Sequence, residues 1–88
     1  MKVKGKNIEK LKKGDKVKVD SLNLVVDAQY VLIDHGKNTK EMTIELFDPK
    51  TENEYQIRYF SNNVDGSVEF YELNEIVYNK KESKKIEF

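Results

Sequence analysis

Lysine is the residue type best placed to do chemistry in this chain, and it is concentrated at the two ends. Residues 1–18 hold eight lysines against two acidic residues, a net charge of +6, and residues 79–88 add +2. The whole chain is neutral, with 16 basic and 16 acidic side chains, so the middle carries −8. A basic end of this kind attracts a phosphate backbone. We therefore take Lys12, Lys13 and Lys16 as candidate nucleic-acid contacts.

A solvated, lysine-rich terminus is the alternative interpretation of the same residues. The lysines are not interleaved with aromatic residues, and the chain contains one arginine, Arg58. Nucleic-acid sites commonly use both. Charge alone leaves the two interpretations open.

The segment 34–40 carries two further candidate contacts, Lys37 and Lys40. It lacks the length and glycine spacing of a phosphate-binding loop, so a surface hairpin is the default interpretation. A lysine at the end of a rigid hairpin can still be presented to a partner.

Aromatic residues cluster in the second half of the chain. If Phe60 and Tyr71 face outward, opposite Tyr59 and Phe70, they form an exposed patch that could stack bases or dock a protein. The alternative is that a small barrel uses these rings in its core and rim.

Catalytic and metal-binding constellations are sparse. The single histidine, His35, lies beside Asp34 in a predicted loop with no serine or cysteine nucleophile predicted nearby. There is no cysteine, and most carboxylates occupy the polar half of an alternating pattern. We predict a protein that is not an enzyme and has no cofactor and no metal.

The elements that position these residues are mostly strands, because apolar and polar residues alternate along most of the chain. Valine, isoleucine, tyrosine, phenylalanine and threonine dominate the alternating runs, as half-buried strands prefer. The runs lie at residues 17–19, 22–33, 42–46, 55–59, 68–70 and 86–88.

Turn-forming residues separate the runs, so the pattern predicts an antiparallel barrel of five or six short strands. The second strand is long, and such a strand usually bends and pairs on both sides. Helix is limited to a short turn after Asn7, which could cap it. Residues 69–78 suit either a strand or a helix.

The length predicts one domain over residues 1–88, with residues 1–7 as a candidate flexible basic segment. No apolar run approaches the roughly 20 residues that span a bilayer. The basic N-terminus is not followed by an apolar stretch, so we predict no signal peptide, no membrane partner and a cytoplasmic protein.

The order of these features resembles the N-terminal SH3-like (KOW-like) domain of elongation factor P and its hypusine-bearing relatives. Leu11–Asp20 is similar to that domain's opening glycine turn and first strand, and Gly36-Lys37 fall where the family carries a glycine and a post-translationally extended lysine. Asn38 stands where the family has a second glycine. The remaining similar segments are Val26–Ile33, Met42–Phe47, Glu54–Phe60, Val68–Phe70, Tyr78-Asn79 and Ile86–Phe88.

The resemblance implies an SH3-like barrel with an RNA- or ribosome-facing loop at Lys37. Our first functional hypothesis is therefore a non-catalytic binding module that contacts RNA or the ribosome through Lys37, Lys40 and the basic N-terminus. The alternative is a protein–protein interaction adaptor, of phage or mobile-element type, that uses the aromatic second half or a strand edge.

Overall fold

The computed structural model describes all residues, 1–88, and shows a single curled β-sheet with almost no helix. A 3₁₀ turn covers Ile8–Lys10, and one turn of α-helix, α1, covers Val64–Ser67. The eight strands are β1 (Lys2–Lys4), β2 (Lys16–Val19), β3 (Leu22–Asp34), β4 (Lys40–Phe47), β5 (Glu54–Phe60), β6 (Glu69–Asn74), β7 (Val77–Lys81) and β8 (Lys85–Glu87). Neither helical turn is long enough to cross a membrane.

The strands lie in the order β1-β8-β2-β3-β4-β5-β6-β7. All neighbours are antiparallel except β1 and β8, which run parallel and pair Lys2 with Lys85. The two outer strands, β1 and β7, are not hydrogen-bonded to each other, so the sheet curls into a half-barrel and stays open.

Strand β3 gives the sheet its curl. Its first part pairs with β2, and most of its length pairs with β4. Register shifts occur between Val26 and Ala28 and between Val31 and Ile33. Bulges of this kind bend a strand and increase its twist. The prediction that the long strand bends and pairs on both sides is confirmed.

The alternating residues fill one core on the concave side of the sheet. Val26, Ile44, Ile57 and Ile86 are completely buried and come from four different strands. The core contains 14 buried apolar or tyrosine side chains: Ile8, Leu11, Val17, Val19, Leu24, Val26, Ile44, Leu46, Tyr55, Ile57, Tyr59, Val68, Phe70 and Ile86.

One polar group on the core side ties the 3₁₀ turn to the sheet. The Gln29 amide donates to the carbonyls of Leu11 at 2.7 Å and Ile8 at 3.2 Å, and its oxygen accepts from the Tyr59 hydroxyl at 2.5 Å. Burial raises the pKa of Tyr59, because the tyrosinate would lack water in the core. The predicted cap is present, since the Asn7 side chain accepts from the Glu9 N–H at 3.0 Å.

The all-β fold predicted from the alternation is confirmed, with several differences in detail. The sheet has eight strands, where the pattern predicts five or six, because residues 2–4 add β1 and a turn at residues 75–76 divides β6 from β7. Residues 69–78 are therefore strand and turn, not helix. Residues 2–4, expected in a flexible segment, form an edge strand, and its pairing with β8 is parallel, although the pattern predicts antiparallel neighbours.

Candidate nucleic-acid interface

The two basic ends of the chain meet at one edge of the sheet. Strand β8 lies between β1 and β2, so residues 85–87 contact both residues 2–4 and residues 18–19. The two lysine-rich segments, far apart in the chain, therefore form one continuous surface.

Alternation within each strand points the lysines away from the core. In β2, Val17 and Val19 are buried, so Lys16 and Lys18 project outward. In β8, Ile86 is buried and faces the core. Directly opposite residues share a face of a sheet. The outward set, which we call the basic face, is Lys2, Lys4, Lys16, Lys18 and Lys85, with Glu87 among them.

Glu87 is the one acidic side chain on the basic face. Its carboxylate lies 3.0 Å from the Lys85 ammonium and is paired in register with both Lys4 and Lys18. A hydrogen bond from Lys85 lowers the pKa of Glu87, and the charges of Lys85, Lys18 and Lys4 lower it further. Glu87 is therefore stabilised as a carboxylate by Lys85 first and by the neighbouring lysines second.

The other lysines of the basic face have no ion-pair partner. Lys2, Lys4, Lys16 and Lys18 have no carboxylate within 4.0 Å, and the first four residues of the chain are held by backbone bonds from Lys2 N–H to the Lys84 carbonyl and from Phe88 N–H to the Lys4 carbonyl. Unpaired ammonium groups on a fixed strand framework can bind phosphate without first breaking an internal contact.

Asp20 links the basic face to the β2–β3 turn. Its carboxylate accepts from the backbone N–H groups of Lys84 at 3.1 Å and Lys85 at 3.0 Å, and its own N–H donates to the Lys85 carbonyl at 2.9 Å. Asp20 adopts a φ of 53°, a left-handed conformation that aspartate tolerates better than most residues. This turn therefore holds the start of β8 against β2.

The five lysines that the sequence predicts as nucleic-acid contacts lie in three different parts of the structure. Lys16 lies on the basic face. Lys12 and Lys13 lie in the turn before β2, where the Asp15 carboxylate accepts from the Lys12 N–H at 3.0 Å and the Gly14 N–H donates to the Val26 carbonyl. This turn ends beside Lys16, so Lys12 and Lys13 flank the basic face without belonging to it.

Lys37 and Lys40 lie at the tip of the β3–β4 hairpin, away from the basic face. Val25, the partner of Lys16, is separated from Asp34 by nine residues of β3, a contour of about 30 Å at ~3.3 Å per residue. The tip is ordered, since the His35 N–H donates to the Thr39 carbonyl and the Gly36 N–H donates to Asp34 Oδ1 at 2.8 Å. Lys37 has a φ of 49° and is exposed.

Phe60 and Tyr71 both face outward, and the structure does not bring them into one patch. Phe60 lies at the end of β5, with its ring centroid 5.8 Å from that of His35. Tyr71 pairs in register with Gln56, four residues earlier in β5, and the Arg58 guanidinium lies 4.2 Å above its ring. The row that pairs Arg58 with Glu69 therefore separates the two rings.

The single histidine, His35, for which the sequence predicts a place in a loop, has an exposed side chain with Nε2 3.9 Å from Glu41. No group of three or more histidine, cysteine, aspartate or glutamate side chains is arranged to hold a metal ion.

Sequence reasoning missed most of the basic face. Lys2, Lys4, Lys18 and Lys85 were counted only as part of the basic ends. The available signal was the alternation of lysine with valine or isoleucine at residues 2–4, 16–19 and 85–86, which predicts that each set points outward. Comparison with protein-family models, with curated proteins and with solved structures found no match to this chain.

Proposed function

We propose that this protein is a non-catalytic binding module that contacts the phosphate backbone of RNA, with the basic face as its main contact surface. The observation that carries the proposal is the convergence of lysines from β1, β2 and β8 on one side of the sheet edge. Four of those five lysines have no internal carboxylate partner.

Lysine is a compact charge that attracts phosphate and does not impose a planar, bidentate geometry. A surface built from lysine without arginine therefore favours backbone contacts over reading of base edges. We expect binding that is salt-dependent and tolerant of RNA sequence, with a log–log salt slope of about −3 if four or five lysines contact a single strand.

The hairpin tip supplies a second, smaller contact in this proposal. The resemblance to the elongation factor P domain implies an RNA- or ribosome-facing loop at Lys37, and Lys40 lies beside it in the same hairpin. An RNA that reached both the tip and the basic face would follow about 30 Å of strand β3. Lys12 and Lys13 lie in the turn that flanks the basic face.

Fluorescence anisotropy with labelled single-stranded and double-stranded RNA, from about 50 to about 200 mM salt, tests the proposal. We expect Lys16→Ala/Lys18→Ala to reduce the magnitude of the salt slope by about 1.4, because each lost phosphate contact contributes ~0.7. The matched control is Lys80→Ala/Lys81→Ala, at the opposite edge, where both ammonium groups are paired with glutamates at 2.6 and 3.7 Å.

The proposal would be overturned if the protein bound neither single-stranded nor double-stranded RNA at low salt. Equal losses in the basic-face variant and in the control would also overturn it, because the binding would then follow total charge. If Lys37→Ala/Lys40→Ala reduced RNA affinity more than Lys16→Ala/Lys18→Ala does, the main contact would be the hairpin tip and not the basic face.

A second candidate function is a protein–protein interaction adaptor, and the exposed apolar hairpin favours it. Val31, Leu32 and Ile33 of β3 are 42%, 38% and 48% exposed, and Phe60 at the end of β5, two strands away, is 37% exposed. An interface built on these residues would keep its partner at high salt and would lose it on Leu32→Asp/Ile33→Asp. RNA binding shows the opposite dependence on salt.

A further inference from the structure

The outer surface of the sheet has a second charged region, which adjoins the basic face. It is a cleft beside the β4–β5 turn, walled by Phe47 and Tyr78 and lined by the carboxylates of Asp27, Glu45, Glu52 and Glu54. We call it the acidic cleft. Pro49, in the turn, lines both the acidic cleft and the groove beside Lys16 and Lys18, so the two regions meet at this residue.

The carboxylates of the acidic cleft are not neutralised from within the chain. None of the four lies within 4.0 Å of a lysine, arginine or histidine nitrogen. Glu45 accepts a hydrogen bond from the Tyr30 hydroxyl, which raises the pKa of Tyr30 to about 12 because the carboxylate favours the protonated phenol. The cleft therefore keeps a concentrated negative charge beside a surface on which four of the five lysines are also unpaired.

One row of side chains shows how the two regions are related. Lys16, Val25, Phe47 and Glu54 are successive cross-strand partners on β2, β3, β4 and β5, so they share the outer face. The row is positive at one end, apolar in the middle and negative at the other, over about 14 Å at ~4.8 Å per strand. Two copies can face each other across a two-fold axis that lies between their outer surfaces and crosses the middle of this row at a right angle. In that arrangement Lys16 of one copy lies against Glu54 of the other.

We propose that this outer surface docks a second copy of the chain around a two-fold axis close to Pro49. The basic face of each copy then meets the acidic cleft of the other, and the half-buried Val25 and Phe47 lie at the centre. A two-fold interface needs one self-complementary patch, which this row provides. An apolar centre with a charged rim is also the usual anatomy of protein interfaces.

Size and net charge are compatible with such a dimer. A stable interface buries about 800 Å² per partner, roughly one seventh of the 5930 Å² surface of this chain. The neutral net charge means that two copies do not repel each other at long range. The inference does not depend on RNA binding, although RNA on the basic face would compete with the second copy.

Sedimentation equilibrium on the RNA-free chain, from roughly 10 μM to 1 mM, tests the proposal. We expect dimers at about 50 mM salt and at least a tenfold weaker association at about 500 mM, because salt screens exposed charges. Monomers at every concentration in low salt would overturn the proposal, as would a dimer whose dissociation constant is unchanged by salt.

Charge exchange between two variants gives the decisive result. In the two-fold arrangement, Lys16→Glu/Lys18→Glu places two new carboxylates against Glu52 and Glu54 of the other copy. Glu52→Lys/Glu54→Lys likewise places two new ammonium groups against Lys16 and Lys18. Because like charges then meet at both contacts, each variant alone should be monomeric. Mixed in equal amounts they should form a heterodimer, since both contacts again join opposite charges. These side chains are exposed, so each variant should fold, and circular dichroism of each variant alone checks this.

Matched controls carry the same charge changes away from this surface. Lys37→Glu/Lys40→Glu at the hairpin tip and Asp65→Lys/Glu75→Lys in two loops should leave the dimer intact. Loss of the dimer in these controls, or no heterodimer from the mixed variants, would overturn the proposal. Species larger than a dimer in the wild type would overturn the two-fold arrangement in favour of an open, head-to-tail chain.

Discussion

The basic face and the tip of the β3–β4 hairpin both present lysines, and they differ in what holds those lysines in place. On the basic face, buried residues such as Val17, Val19 and Ile86 alternate with the lysines and anchor each strand in the core. At the tip, residues 30–38 are all exposed, and the order comes from hydrogen bonds within the hairpin and from Ser61 and Asn62 in the loop after β5, with no buried side chain beneath it. The comparison teaches that a charged surface gains rigidity from the opposite side of its own strands.

The largest loss in the free energy of unfolding is expected when the buried side chain of β8, beneath the basic face, is shortened. Ile86→Ala deletes a completely buried side chain of β8 and should lower the free energy of unfolding by about 2–5 kcal/mol through lost burial and a residual cavity. Urea denaturation followed by circular dichroism measures this. A loss below about 1 kcal/mol would mean that β8 is not an integral part of the core.

Substitutions in the β2–β3 turn, which holds the start of β8 against β2, should cause the second largest loss in the free energy of unfolding. Asp20→Ala removes the acceptor for two backbone N–H groups and places alanine in a left-handed conformation, at a cost of about 1–2 kcal/mol. Asp20→Asn keeps an acceptor oxygen and tolerates the conformation, so it should lose less than half as much. Equal losses in the two urea titrations would contradict this account of the turn.

The single carboxylate on the basic face, Glu87, is expected to weaken RNA binding there. Glu87→Gln removes the one negative charge among five lysines and should tighten RNA binding by about two- to threefold at low salt. The matched change is Glu69→Gln, which also removes a glutamate paired with a lysine, Lys80. It should have no such effect because β6 and β7 lie at the opposite end of the sheet from the basic face. Anisotropy titrations compare the two, and equal changes would argue against a localised contact.

Glu87 also gives a pH dependence with a definite sign. Its pKa is lower in the folded chain than the ordinary value of 4.5, so its contribution to stability is present above that value and disappears as pH falls through the folded pKa. Glu87→Gln should therefore flatten the loss of stability below about pH 4.5. Carboxyl chemical shifts followed by NMR give the pKa directly, and a value above 4.5 would contradict the predicted sign.

The smallest change in the free energy of unfolding is expected for a substitution near the hairpin tip. Ile33→Ala shortens a side chain that is 48% exposed and should change the free energy of unfolding by less than about 1 kcal/mol. A urea titration run beside that of Ile86→Ala sharpens the comparison. A loss as large as that at Ile86 would mean that the tip packs against something in solution.

Local pattern was sufficient to predict most of the strands. The alternation at residues 16–19, 42–46 and 55–59 directs to the core the apolar and tyrosine side chains that are buried there in the structure. It does not predict the burial of Thr43 and Gln56, which occupy its polar half. The Asn7 cap was equally visible, because a side-chain cap depends on residues two positions apart. The division between β6 and β7 was hidden because its turn contains Ile76, an apolar residue that is 91% exposed.

The candidate site was harder to predict than the strands that build it. Lysine counts showed two basic ends, but their meeting depends on a parallel pairing between residues 2–4 and 85–87, which no local pattern specifies. The acidic cleft likewise joins Asp27 of β3 to Glu52 and Glu54 through the sheet. Only the register of non-adjacent segments brings such residues together.

The parallel pair of β1 and β8 also has a consequence for the order of folding. Contacts this distant in the chain are slow to form, because a long loop must close before any of them stabilises the fold. Strands β2 to β7 each pair with the next in sequence and can assemble as the chain is synthesised. Strand β1 has no partner until residues 85–87 have been made, so the edge formed by β1 and β8 joins the sheet after the central strands can already pair.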